Sequence, residues 1–156
     1  MYVDHYSDLS YVYLQQDNAG REILKSKIAF EHYATKQGVT VQRYHSDNGR
    51  FMDKDLLEDV KAQRQAIMYC RVHAHHQNGK AEKRIRNLQE KTRLILLHAI
   101  HQWPNVITLQ LWPYALCVAN KIKTTRTQDG LIPWTIFART KEIPNLDRIH
   151  PFGCPA

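Results

Sequence analysis

Hydrophobic and polar positions change period several times along this chain, and each change marks an element. Tyr2-Val3 and Ser10-Tyr11-Val12-Tyr13-Leu14 are rich in β-branched and aromatic residues, with polar Tyr6-Ser7-Asp8 between them. That pattern predicts a β-hairpin or two successive strands. From Arg21 to Lys36 the period becomes helical. Ile23, Phe30 and Ala34 share a narrow arc, Leu24 and Ile28 widen it, and Gly38 ends the helix. Val39–Tyr44 returns to a strand pattern and runs into the turn sequence Asp47-Asn48-Gly49. Leu56–Ala62 predicts a short helix and Ala66–Val72 a further strand.

A polar, histidine-rich loop follows at His73–Gly79, then a long helix from about Lys80 to His101. Ile85, Leu88, Thr92, Ile95, Leu96 and Ala99 fall on one side of that helix. Pro104 breaks it, and Val106–Ile122 predicts another helix, with Pro113 near its start or at a kink. Strands alternating with helices in this order predict an α/β domain with helices packed on a mixed sheet.

The length of 156 residues fits one core. The formal charge of +7 is uneven. Residues 1–78 carry ten basic and ten acidic side chains, residues 79–156 twelve and five, so the second half holds the whole surplus. A surplus confined to one half points to a polyanionic partner. No apolar run reaches the roughly 18–20 residues a bilayer span requires, and the first residues lack the pattern of a secretory signal. Three widely spaced cysteines, Cys70, Cys117 and Cys154, do not make a disulfide framework. An intracellular protein with reduced thiols is the expectation.

Asp47 lies at the end of a predicted strand, the rim where open α/β sheets bind ligands. Glu82 lies in the first turn of the long helix. At about 100° per residue, Gln89 falls about 20° to one side of Glu82, Arg93 about 20° and Arg86 about 40° to the other. Glu82 therefore sits at the seam between the apolar stripe and a basic face. Two carboxylates aimed into one cleft would hold Mg²⁺ or Mn²⁺, which favour carboxylate oxygens and keep positions open for water and phosphate. Singly, each has an ordinary reading: Asp before Asn-Gly forms a turn, and Glu in a first turn complements the helix dipole.

Together the blocks resemble the catalytic core of retroelement integrases, in particular the copia type of retrotransposon. Val3-Asp4-His5-Tyr6-Ser7 resembles the family's V/I-D-x-x-S strand, and Tyr44-His45-Ser46-Asp47-Asn48-Gly49 its D-N-G block. His76-Gln77-Asn78-Gly79-Lys80-Ala81-Glu82-Lys83-Arg84 resembles the block P/H-Q-N-G-x-A-E-R. Leu111-Trp112-Pro113-Tyr114-Ala115 and His150-Pro151-Phe152-Gly153-Cys154 are similar to copia-type sequence downstream of the core. Arg71 and His73 depart from the family's Gly and Asn.

The resemblance implies a ribonuclease-H-like fold and an Asp, Asp, Glu triad that binds divalent metal. The implied activity is trimming and joining of DNA ends. Asp47 is then the second acidic residue and Glu82 the third; the first belongs on a strand preceding V-D-x-x-S, so a fragment with impaired activity is the expectation. Asp4 stands in a neighbouring strand, at a position the family gives to a different Asp. Residues 1–102 would be the partial core and 103–156 a C-terminal helical extension. The implied partners are DNA, met through its phosphate backbone by Lys83, Arg86 and Arg93, and further copies of the chain; the implied compartment is the nucleus.

Two other readings stay open. One is a non-catalytic nucleic-acid-binding remnant. The other is a zinc-stabilised interaction module built on Cys70, His73, His75 and His76, although structural zinc sites generally draw paired ligands from two separated segments. Lys80, Lys83, Arg84, Arg86, Lys91 and Arg93 surround the long helix, as they also would on an ordinary solvated face.

Overall fold

In a computed structural model the chain is described over residues 1–17, 19–46, 52–69, 79–125, 130–146 and 149–154. The elements run β1 (Tyr2–Val3), β2 (Ser10–Tyr11), α1 (Gly20–Lys36), β3 (Arg43–Ser46), α2 (Lys54–Ala62), β4 (Ala66–Tyr69), α3 (Gly79–Gln102), α4 (Trp112–Thr125) and α5 (Pro133–Ala138). β1 pairs with β2, and β3 with β4. The class is mixed α/β, as the alternating pattern predicts.

The described chain divides into two compact units, Met1–Tyr2 with Tyr13–Glu82, and Val3–Val12 with Lys83–Ala156. In the first, β3 and β4 run parallel, with Arg43 opposite Ala66 and Ser46 opposite Tyr69. The predicted strand Val39–Tyr44 is displaced: pairing starts only where the Ala66 amide donates to the Gln42 carbonyl at 2.9 Å. A strand extends only as far as its partner does, which β propensity does not reveal. α1 buries Ile23, Phe30 and Ala34 as expected, but Ile28 is exposed, and Glu22 and Lys27 are buried. Tyr2 stacks on Phe30 with ring centroids 4.7 Å apart. Asp53 caps α2, accepting from the Asp55 amide at 3.1 Å. The same carboxylate crowds Gly20, where an added Cβ would stand 2.1 Å from Asp53 Oδ2.

The second unit holds most of α3 and all of α4 and α5. Leu96, Ala99, Ile107 and Ala115 form its core, with Trp103, Trp112 and Phe152 packed against them. Each large apolar side chain fully buried there contributes about 1.5–3 kcal/mol. Gly153, at φ 86°, leaves the space into which a Cβ would bring itself 2.8 Å from Ile107 Cδ1. α4 starts at Trp112, after a 3₁₀ turn at Leu109–Leu111, six residues later than the pattern predicts. Pro113 is thus in the first turn, where a missing amide proton costs nothing. α5 went unpredicted because its six residues are too short to show a period. Among the described residues, Cys117 and Cys154 are free thiols, and no helix is long and apolar enough to cross a membrane.

Candidate functional site

The strand that leads to Asp47 is held from below by a buried polar cluster. Lys27, on α1, is 1% exposed. Its ammonium lies 2.8 Å from Glu31 Oε1 and 2.5 Å from Asp59 Oδ2, and 5.5 Å from the centre of the Tyr44 ring. Tyr44, on β3, donates its hydroxyl to Glu31 at 2.6 Å. Burial, and secondly the hydrogen bond to Glu31, push the Tyr44 phenol well above its ordinary range. Gln65 donates to the same carboxylate at 2.6 Å and to the Val41 carbonyl at 3.0 Å. A buried ammonium requires such company, because an unpaired charge in an apolar interior is costly. Periodicity along α1 did not single out Lys27; its i, i+4 spacing from Glu31 was the available signal.

Asp47 itself lies outside the described residues. β3 nonetheless ends at Ser46, so its C-terminal end is the one that leads into Asp47. Cys70, His73, His75 and His76 also lie outside the described residues.

Glu82 occupies the first turn of α3 and is exposed. Among the described residues it makes no hydrogen bond or ion pair. An exposed carboxylate not used in capping or pairing is a fitting ligand for a hard divalent ion. Lys83, Arg86, Lys91 and Arg93 are exposed as well. Among the described residues no three His, Cys, Asp or Glu side chains gather as a metal cluster.

Asp4 is differently employed. Its Oδ2 accepts from the Ser7 amide and the Ser7 hydroxyl, both at 2.6 Å, which closes the turn between β1 and β2. That is an Asx turn, a structural use of the carboxylate.

Two residues of α3 depart from the expected faces. Ile85, assigned to the apolar stripe, is 44% exposed, while Arg84, grouped with the surface cations, is 4% exposed. Periodicity defines a face, but burial at each turn depends on whether a neighbour covers it. Here the neighbour is polar. The Arg84 guanidinium donates to the Asp8 carbonyl at 3.0 Å and pairs closely with the Asp8 carboxylate. It also reaches Ser10 Oγ at 3.4 Å.

The fold is that of integrase catalytic cores. The HTLV-2 integrase catalytic core domain, solved with magnesium in a dimeric form, matches with a TM-score of 0.63, over 86% of this chain and 80% of that one, at 17% identity. A trimeric form of the same domain matches with a TM-score of 0.63 at 16% identity. A simian T-cell lymphotropic virus intasome, in complex with PP2A regulatory subunit B56 gamma, matches over 94% of this chain with a TM-score of 0.66 and 16% identity. There this chain spans about half of its counterpart, 51%. No protein-family profile and no curated protein sequence matches the chain.

Proposed function

We propose that this chain is the catalytic core of a copia-type retroelement integrase with a ribonuclease-H-like arrangement. On this reading it acts on DNA ends with Mg²⁺ or Mn²⁺. The observation that carries the reading is the shared fold, over 86% of the chain, with an integrase core that is itself solved with magnesium. Asp47 and Glu82 are the residues that would hold the ion, which when bound activates a water or DNA 3′-hydroxyl and stabilises the leaving oxygen. Glu82 supplies a solvent-facing carboxylate at the start of α3. Lys83, Arg86 and Arg93 meet the phosphate backbone, which fixes register without reading sequence. Asp4 stays in its turn. With two matched carboxylates, the chain alone binds the ion weakly and joins DNA poorly, because fewer anionic ligands offset the cost of dehydrating it. Submicromolar Mg²⁺ affinity by titration calorimetry would contradict that.

Filter binding on unrelated duplexes at several salt concentrations tests the DNA face. Affinity should fall with salt at a slope of roughly −0.9 per phosphate neutralised. Reversing Arg86 and Arg93 to Glu should weaken binding about equally on all sequences. Glu82→Gln should leave metal-free binding intact or improve it, since one carboxylate fewer repels phosphate. If the Arg reversals change nothing, α3 is an ordinary solvated face. If DNA binds but Asp47→Asn and Glu82→Gln leave Mn²⁺ binding and end cleavage unchanged, the chain is a non-catalytic nucleic-acid binder. By the same reading the chain self-associates, which sedimentation velocity would register as a species heavier than the monomer.

A further inference from the structure

We propose that the open edge of β4 and the groove beside it dock an extended segment of another protein, with acidic residues flanking an apolar one. The proposal is independent of the metal and DNA readings, and every residue it uses lies in the first unit.

Among the described residues β4 pairs with β3 and with no other strand. The backbone groups of a strand turn alternately to its two sides. The Ala66 amide donates toward β3, to the Gln42 carbonyl, so Ile67 presents its amide and carbonyl to the open side. An edge of this kind is a template for a further strand.

α2 walls the same edge. Lys54, Leu57 and Lys61 recur at helical spacing along one stripe, and with Met52 and Ile67 they border a groove of about 530 Å³. That volume falls in the range of ligand sites, about 300–1,000 Å³. Met52 leaves 55% of its surface exposed there, an adaptable apolar contact. Gln65 also borders the groove, and its Oε1 is buried without a donor among the described residues. The amides of an extended segment are donors of the type it lacks.

Charge selects the occupant. Glu58 is engaged by Lys54 at 3.7 Å, whereas Lys61 makes no ion pair among the described residues. The groove therefore holds a surplus cation. Lys54 and Lys61 stand about 10.5 Å apart along the helix axis, a span that an extended chain covers in three to four residues at about 3.3 Å each. Acidic residues near the two lysines would bracket one apolar side chain seated between them. A second copy of this chain would bring the same lysines to the edge and be repelled.

Fluorescence anisotropy of the full chain tests this with a short labelled peptide whose central residues are glutamate, threonine, valine, threonine and glutamate. It should bind, and the version with lysine for both glutamates should bind about tenfold more weakly. Lys61→Glu should weaken the acidic peptide about fivefold, since an exposed attraction becomes a repulsion, and should strengthen the lysine peptide. Lys141→Glu makes the same charge change on an exposed residue of the second unit and should alter neither. N-methylation of successive peptide amides should abolish binding at every second position, the period of strand pairing. The proposal is overturned if the two peptides bind alike, if Lys141→Glu acts as Lys61→Glu does, or if N-methylation shows no period of two. Sedimentation velocity separates a second occupant: self-association altered by Lys61→Glu, with peptide binding unaltered, would overturn the proposal in favour of another copy. Displacement of the peptide by duplex DNA, lost in Lys61→Glu, would overturn it in favour of a phosphate-binding face.

Discussion

Among the described residues each compact unit buries one cation, and the two are accommodated in different ways. Lys27 is enclosed and draws in two carboxylates, Glu31 and Asp59, whose side chains are themselves only 21% and 24% exposed. Arg84 is buried too, but its acidic partner Asp8 is 37% exposed and keeps contact with water. The consequence of losing the cation should therefore differ. Around Lys27 it leaves two neighbouring negative charges in a dry place. Around Arg84 it leaves one carboxylate that water can solvate. A buried ion pair says little about stability until one knows which partner would be stranded.

The largest expected effect follows directly. Lys27→Met should destabilise by about 3–5 kcal/mol, the range for stranding buried charge, measured by urea denaturation. A loss under about 1 kcal/mol would mean that the carboxylates rehydrate freely and that the two sites are alike.

The next effect is a pH dependence that arises in the first unit, at Tyr44. The Tyr44 phenol titrates above its ordinary range in the folded chain. Its contribution is fully present below the unfolded value of about 10 and is lost as pH rises beyond it toward the folded value. Between those limits the unfolded state releases the proton first, at about 1.4 kcal/mol per pH unit. Stability measured from pH 8 to 11 should decline more steeply in the wild type than in Tyr44→Phe. Parallel declines would show that the phenol is neither shielded from water nor held by Glu31.

In the second unit Asn120→Ala should cost about 1 kcal/mol, by removing two neutral hydrogen bonds to Ser10. The smallest effect is the sharpest contrast. Arg84→Met should lie within about 1 kcal/mol of wild type, because an apolar side chain completes the stripe and Asp8 turns to solvent. A loss comparable to that at Lys27 would erase the distinction between the two cations.

Much of the framework was legible in the residues. α1 and α3 were readable to within about a residue at each end, since many turns of an amphipathic pattern average out local exceptions. Strand limits were not, because β3 extends only where β4 meets it. The late start of α4 depended on the 3₁₀ turn before Trp112, whose residues are as apolar as a helix face. The site divides in the same way. Glu82 in a first helical turn, beside exposed Arg86 and Arg93, was readable from spacing alone, because a helix converts sequence separation into angle.

What only the tertiary structure decided is which polar groups lie inside. Along α1 Ile28 leaves its expected place while Lys27 beside it is buried, and along α3 Arg84 and Ile85 exchange theirs. Periodicity specifies a face by the average character of the side chains on it. Whether a particular cation enters that face depends on partners distant in sequence: Asp59 for Lys27, Asp8 for Arg84. Those pairings exist only after the chain has folded, since a buried charge becomes tolerable only once its counter-charge is fixed beside it.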